Sequence, residues 1–386
     1  MKTKRFILCA ATAMFWFGQY IYVPYLNREM SLYGIAAGYI GMTVAAYGLT
    51  QMLLRIPLGL GADKTGRHKA VIAAGLLCAG LACAIMMAAK TPIWFIISRG
   101  VAGVASATWV CFAVVFTTAY PRDQITRAMG TANACNSFGQ LCSYALGLAL
   151  ADRIGFAALC GVGIGVTVMG FLFFAGAMLF GKTQTNNAVV EKPAAVNRTK
   201  LITPRLLSYA LLAALYQAVV FSTVQAFPSA QVVDPLVKQS ALALAAILFV
   251  GANIAGSAMI GRKHAQKLGA HRLLAIGFSG MAAYCLGVSL ATTLWQVMAL
   301  QILGGLCGAA MLALCMAQSV AKTSPEKRAG AMGVFQAVYA LGMTAGPYAM
   351  GIIVQSTGIR HGWQIAAGAA LFAAVSGYFV GRRFVV

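Results

Sequence analysis

Two short stretches of this 386-residue chain carry residue types that can do chemistry. The first is GLGADKTGRHK (Gly59–Lys69), which crowds glycines, one carboxylate and the bases Lys64, Arg67 and Lys69 together. Its Gly61-x-x-x-x-Gly66 spacing is that of a phosphate-cradling loop. Such a loop continues with Lys and then Ser or Thr, for the phosphates and their magnesium, and follows a strand. Here Arg67 and His68 follow, and the preceding segment is a long apolar run, so nucleotide binding is not expected. The second stretch is ISRGVAGVASA (Ile97–Ala107), in which Arg99 stands alone in an apolar run. A lone charge in a bilayer costs about 2.5–3.5 kcal/mol on insertion scales, which makes Arg99 a functional candidate. Snorkelling of its side chain to the outer interface is the alternative.

No catalytic constellation accompanies these stretches. The seven acids (Glu29, Asp63, Asp123, Asp152, Glu191, Asp234, Glu326) fall in loops or at helix ends, and the four histidines are expected in loops. All ten cysteines lie in apolar runs with no CxxC, which argues against a zinc site or a disulfide framework. They read as buried, inert thiols. Without paired interior carboxylates, a Ser/His pair or a metal cluster, the chain is not expected to be an enzyme, and neither a cofactor nor a metal is expected.

The elements that hold these residues follow from composition. Only 9% of the chain is charged and 60% is hydrophobic, against about 25% charged in a soluble domain. Charge-free windows run over 6–27, 30–54, 70–89, 100–121, 128–151, 154–181, 206–233, 239–261, 273–321, 329–359 and 362–381. A spanning helix needs roughly 20 mostly apolar residues. The window 273–321 is long enough for two, with a turn near Ala291-Thr292-Thr293, and the fourth helix is expected to start near Pro92. The result is an all-α membrane protein of twelve transmembrane helices. The start, MKTKRFILCAATAMFWFGQY, resembles a signal peptide, but its apolar run continues to Tyr25 and is read as the first span.

Net charge +22 invites a nucleic-acid reading that the placement of charge removes. With the N-terminus inside, only Arg28, Lys90, Arg153, Lys238 and Arg360 of the 29 bases fall outside, and Arg55 and Arg99 lie within or at the end of helices. That bias is the positive-inside rule and puts both termini in the cytoplasm. The polar stretch 182–205 reads as a cytoplasmic linker between halves 1–181 and 206–386. A shift of 203 residues lays Gly66 on Gly269, His68 on His271, Met129-Gly130 on Met332-Gly333, Gly139 on Gly342 and Gly155 on Gly358. A constant offset over separate loops and a helix argues for two pseudo-symmetric six-helix halves.

With this context, the Gly59–Lys69 turn resembles the signature of the major facilitator superfamily, G-x-L-A-D-R-x-G-R-R/K-x-R/K in outline. Gly59, Ala62, Asp63, Gly66 and Arg67 match, Lys64 is conservative, Gly61 replaces Leu and His68 replaces a base. Arg99, Gly103 and Ala107 similarly match the helix-4 pattern R-x-x-x-G-x-x-x-A. The resemblance implies the superfamily fold, with Gly59, Asp63, Gly66 and Arg67 as a cytoplasmic gate. It points to a branch resembling drug and metabolite antiporters, with a degenerate helix-5 motif. Ser143-Tyr144 stands where that branch carries Gly-Pro, and the pair appears instead in helix 11 as Gly346-Pro347, after Gly342. Gly103, Gly342, Gly346 and Pro347 are expected to serve close packing or bending.

The resemblance also implies that helices 1, 4, 7 and 10 line the path. The substrate-binding candidates there are Arg99, Gln19, Tyr20, Tyr216, Gln217 and Gln301, joined by Asn133 and Asn136 on one face of helix 5 and by Gln336 on helix 11. The expected function is secondary transport of a small organic solute, such as an organic anion or metabolite, by alternating access. Proton-coupled efflux of drugs or metabolites and carriage of a lipid or lipid-linked substrate are the alternatives. The absence of an interior carboxylate disfavours the antiporter reading. The expected setting is the plasma (inner) membrane, as a monomer in the lipid bilayer.

Overall fold

The computed structural model describes residues 2–120, 124–180, 202–228, 238–260, 268–309, 311–323 and 325–384. Residues 182–201 of the 182–205 linker, His264, Asp123, Glu191 and Asp234 lie outside them. Helices account for nearly all of the described chain. In order they are α1 (Lys2–Tyr20), α2 (Leu26–Leu32), α3 (Ala37–Thr65), α4 (His68–Ala88), α5 (Pro92–Ala107), α6 (Trp109–Thr118) and α7 (Ile125–Phe180). They continue as α8 (Pro204–Val220), α9 (Gln239–Ile260), α10 (Gly269–Leu290), α11 (Leu294–Gly308), α12 (Met311–Val320), α13 (Pro325–Thr357) and α14 (Ile359–Arg383).

Ten segments among the described residues are long and apolar enough to cross a membrane. One of them, Arg127–Gly176, is 50 residues long and is broken at Gly155, so it supplies two spans. The 29-residue α3 supplies another, and the total is the twelve that the charge-free windows predict. Start and stop signals are read correctly: α5 begins at Pro92, and α10 and α11 are separated by the 291–293 turn, where Thr293 and Gln296 form a reciprocal capping box. The box satisfies two of the orphan N–H groups at the start of α11.

The packing forms two units. Described residues 2–180 and 238–247 make the first, and 202–228 with 248–384 make the second. The start of α9 belongs to the first unit, where the Ser240 amide donates to Asp152 Oδ1 at 3.2 Å. The core of the first unit is aromatic: Phe15, Trp16, Phe112 and Phe116 pack with Ile72 and Leu76. The repeat is visible in the backbone. Gly66 and Gly269 have φ of 66° and 76°, and Gly155 and Gly358 have φ of 74° and 91°. Only glycine adopts this region without penalty, so the chain turns at equivalent places in both halves.

Helix seams repeat as well. A Cβ on Gly139 would collide with the Ala13 carbonyl of α1, and one on Gly342 with the Ala214 carbonyl of α8. Gly103 meets the Tyr47 carbonyl of α3, and Gly305 the Phe249 carbonyl of α9. Gly346 sits similarly against Ala218, 2.6 Å from a built Cβ to its Cα, one residue before Pro347 within α13. At each of these glycines a side chain would meet the neighbouring helix.

Three spans are interrupted at described residues. After Tyr20, helix 1 passes through a 3-10 turn (Val23–Tyr25) into α2, and helix 4 breaks at Thr108 between α5 and α6. Helix 7 ends in a π-helical segment, Phe221–Ala226. Within a membrane, irregular backbone is tolerated only where it is buried or lines a cavity, and π segments cluster at functional sites.

The seams predict a contrast between two glycines. Gly103→Ala should lower the melting midpoint of the purified protein, because the added methyl must displace backbone. Gly130→Ala meets nothing within 4 Å and should leave stability unchanged or raise it by about 0.5–1 kcal/mol. Equal melting shifts for the two variants would contradict the seam.

Candidate functional site

Arg99 lies in the second turn of α5 and is 2% exposed. Snorkelling is therefore not what the side chain does. Its guanidinium carbon lies 4.5 Å from the centre of the Tyr47 ring of α3 and 5.9 Å from that of Tyr22, just beyond α1. Both tyrosines are buried. Among the described residues no carboxylate is found against Arg99, and its Nε has no hydrogen-bond partner. The positive charge is held mainly by aromatic faces. A desolvated cation–π contact contributes about 2 kcal/mol, which offsets much of the burial cost but leaves the charge without a counter-ion.

The surrounding seams fix this geometry. Thr50 Oγ1 donates to the Gly100 carbonyl at 2.8 Å, and Tyr47 OH and Ser106 Oγ share a hydrogen bond of 2.6 Å. With Gly103 against the Tyr47 backbone, these contacts lock α3 on α5 and set the Tyr47 ring over Arg99. From the other side, Gln19 Nε2 donates to the Ala102 carbonyl at 3.0 Å, and Ser98 Oγ to the Ala82 carbonyl at 2.7 Å. Gln19 is thus a buried brace between α1 and α5, 2% exposed.

Beside the buried charge is a partly open aromatic surface. Trp16 stacks on Tyr20 at 5.7 Å and meets Trp109 edge-on at 5.5 Å, and Tyr20 meets Tyr144 at 6.2 Å. Gln140 Nε2 donates to Tyr144 OH at 3.1 Å. Tyr20, Trp109, Asn136 and Gln140 are half-buried, and Asn133 is exposed. Rings next to amides can stack on a planar solute and hydrogen-bond its edge.

The second unit has an uncharged counterpart. An offset of 202 puts Arg99 on Gln301, Gly103 on Gly305 and Tyr47 on Phe249. Gln301 is 2% exposed and accepts a hydrogen bond from the buried Tyr284 OH at 3.1 Å. Tyr216 and Gln217 are buried in α8, and Gln336 is half-buried in α13. The arginine thus belongs to one half only.

At the end of α3, Gly66 takes the left-handed C-cap conformation (φ 66°, ψ 10°) and Arg67 leads directly into α4. Asp63, in the last turn of α3, pairs with His68 Nε2 at 3.4 Å across this turn. Arg67 is exposed. A built Cβ on Gly59 makes only an ordinary 3.6 Å contact with Val110, so its lack of a side chain is not demanded by packing within this unit.

Two sequence readings need correction. His68, His271 and His361 lie in the first turns of α4, α10 and α14, not in loops, because each helix begins directly after its glycine hinge. The cysteines are not uniformly buried: Cys9, Cys78, Cys135, Cys142 and Cys307 are partly exposed, since an apolar helix in a bilayer turns one face to lipid. Tyr47, Ser106, Tyr144 and Tyr284 were absent from the candidate set. Each is a single polar group in an apolar run, and what marks it is the neighbour across the helix seam.

The Arg99–Tyr47 contact predicts a coupling. Tyr47→Leu should lower the melting midpoint of the wild-type protein, and the loss should be absent in an Arg99→Met background, with a coupling of about 1–2 kcal/mol. Additive losses would mean that Tyr47 acts through packing alone.

Comparison with known proteins places this architecture. The Major Facilitator Superfamily profile matches residues 8–267 and 236–385. The chain is 26% identical over 363 residues to the class G tetracycline resistance protein of Vibrio anguillarum, covering 91% of this chain and 89% of that one. A 30% identical match to an uncharacterized transporter of Buchnera aphidicola spans 28% of either chain. Among solved structures, an inward-facing, unoccupied bacterial homologue of the human lysosomal transporter Spinster superposes with a TM-score of 0.79 at 16% identity, over 99% of this chain and 97% of that one. The nucleoside transporter NupG superposes with a TM-score of 0.73 at 15% identity, over 98% and 99%. At such identities these likenesses speak for the fold. The profile covers nearly the whole chain, and with it the chain is a multi-pass membrane transporter that belongs to the Major Facilitator Superfamily.

Proposed function

We propose that the chain carries a small organic anion, or an aromatic metabolite bearing an acidic group, by alternating access of its two halves. The observation that carries this reading is Arg99: a buried guanidinium held by tyrosine faces, with no carboxylate against it among the described residues. Such a charge favours an arriving anion and disfavours an embedded proton carrier. Tyr20, Trp109, Asn136 and Gln140 form the contacting surface, with Arg99 as the fixed charge behind it. In this reading the protein works as a monomer in the plasma (inner) membrane, with both termini and the 182–205 linker in the cytoplasm, as the distribution of bases supports. Asp63 and His68 then stand at the cytoplasmic end, where their turn serves as the inner gate.

Proton-coupled efflux is the second reading, and the tetracycline resistance relative favours it, since that likeness extends over 91% of the chain. Membrane vesicles distinguish the two. We expect labelled benzoate to be taken up, uptake to survive collapse of the pH gradient, and Arg99→Ala to lower it about tenfold or more. Tetracycline accumulation that vanishes with the pH gradient and is indifferent to Arg99→Ala would establish efflux instead. In either case Asp63→Asn is expected to slow transport about tenfold at unchanged membrane expression, and unchanged kinetics would remove Asp63 from the gate.

A further inference from the structure

The seam between α1 and α7 carries a feature that the transport reading does not use. Cys9 of α1 and Cys135 of α7 lie close enough across the seam for their thiols to interact. Both line an apolar groove of about 530 Å³ whose walls include Phe6, Phe17 and Phe138, with Cys142 farther along. Both thiols are partly exposed, so a reagent in the groove reaches them. Their proximity follows from the helix packing. Gly139 brings α7 onto the Ala13 carbonyl, and Cys9 and Cys135 each lie one turn before that point.

Packing does not require sulfur here. In the second half the same seam is built by Gly342 on Ala214, and the residues one turn earlier are Ala210 and Val338. The dithiol is a property of the first half alone, set beside an aromatic-walled groove. Two neighbouring thiols suit a soft centre that binds both at once. The apolar walls suit a hydrocarbon substituent on that centre and would disfavour a hydrated ion.

We propose that Cys9 and Cys135 form a binding site for a trivalent organoarsenical, or an electrophile of the same class, bridged by the two sulfurs with its apolar group in the groove. The step is a ligand exchange. An aryl arsonous acid, ArAs(OH)2, loses both hydroxyls. Two As–S bonds form as two As–O bonds break, the two thiol protons leave with the oxygens as two waters, and arsenic stays trivalent throughout.

The probe is phenylarsine oxide, which is the anhydride of that acid, added to the purified full-length protein in detergent. Intact-mass spectrometry should show one phenylarsine group per chain. The adduct should protect Cys9 and Cys135 from maleimide alkylation in a peptide map, and a dithiol such as 2,3-dimercaptopropanol should reverse it. Cys9→Ser and Cys135→Ser, close in shape to cysteine, should each lose the adduct while Cys142→Ser keeps it. The melting midpoint of each variant confirms that it is folded. No adduct on the wild-type protein, an adduct that survives in either single variant, or protection of other cysteines in place of this pair would overturn the proposal.

Discussion

A guanidinium without a counter-ion is the constraint around which the first half is organised. Placing Arg99 inside the membrane costs about 2.5–3.5 kcal/mol, and one desolvated aromatic face returns about 2. That face must be held in place, and three contacts hold it: Thr50 on the Gly100 carbonyl, Tyr47 on Ser106, and Gly103 against the Tyr47 backbone. A larger residue at position 103 would move α3, and with it the ring. The charge is affordable in this fold only because one glycine lets two helices touch.

The rest of the architecture is the same scheme used twice with one change. Glycine hinges, close helix seams and interrupted helices recur in both halves at nearly constant offset. The interruptions at described residues fall in spans 1, 4 and 7, each of which opens a group of three helices. At the position of Arg99 the second half carries Gln301, bonded to Tyr284. The first half thus carries a buried positive charge where the second carries a neutral hydrogen-bonded pair.

Much of this was legible in the residues. Charge-free windows located the spans, because charge is the costliest thing to place in lipid. Gly66 and Gly155 marked turns, because their repeat partners stood at the same offset, and Arg99 was conspicuous as a charge in an apolar run. What could not be read depends on contacts across helices. Tyr47 looks like any aromatic in a long span until α3 is packed on α5, and nothing in SATW at 106–109 signals the break at Thr108 as a proline would. Nor does the sequence show what meets Asp63: it is His68, one of the residues that depart from the family pattern, because α4 starts soon after Gly66.

The central claim is that the buried charge of Arg99 selects the ligand. A thermal-shift screen of the purified protein tests it most directly, with organic anions, cations and neutral metabolites applied in parallel to the wild type and to Arg99→Ala. The account predicts that anions, especially aromatic ones, raise the wild-type melting midpoint and lose that effect in Arg99→Ala. Stabilisation by cations or neutral compounds that persists undiminished in Arg99→Ala would contradict it.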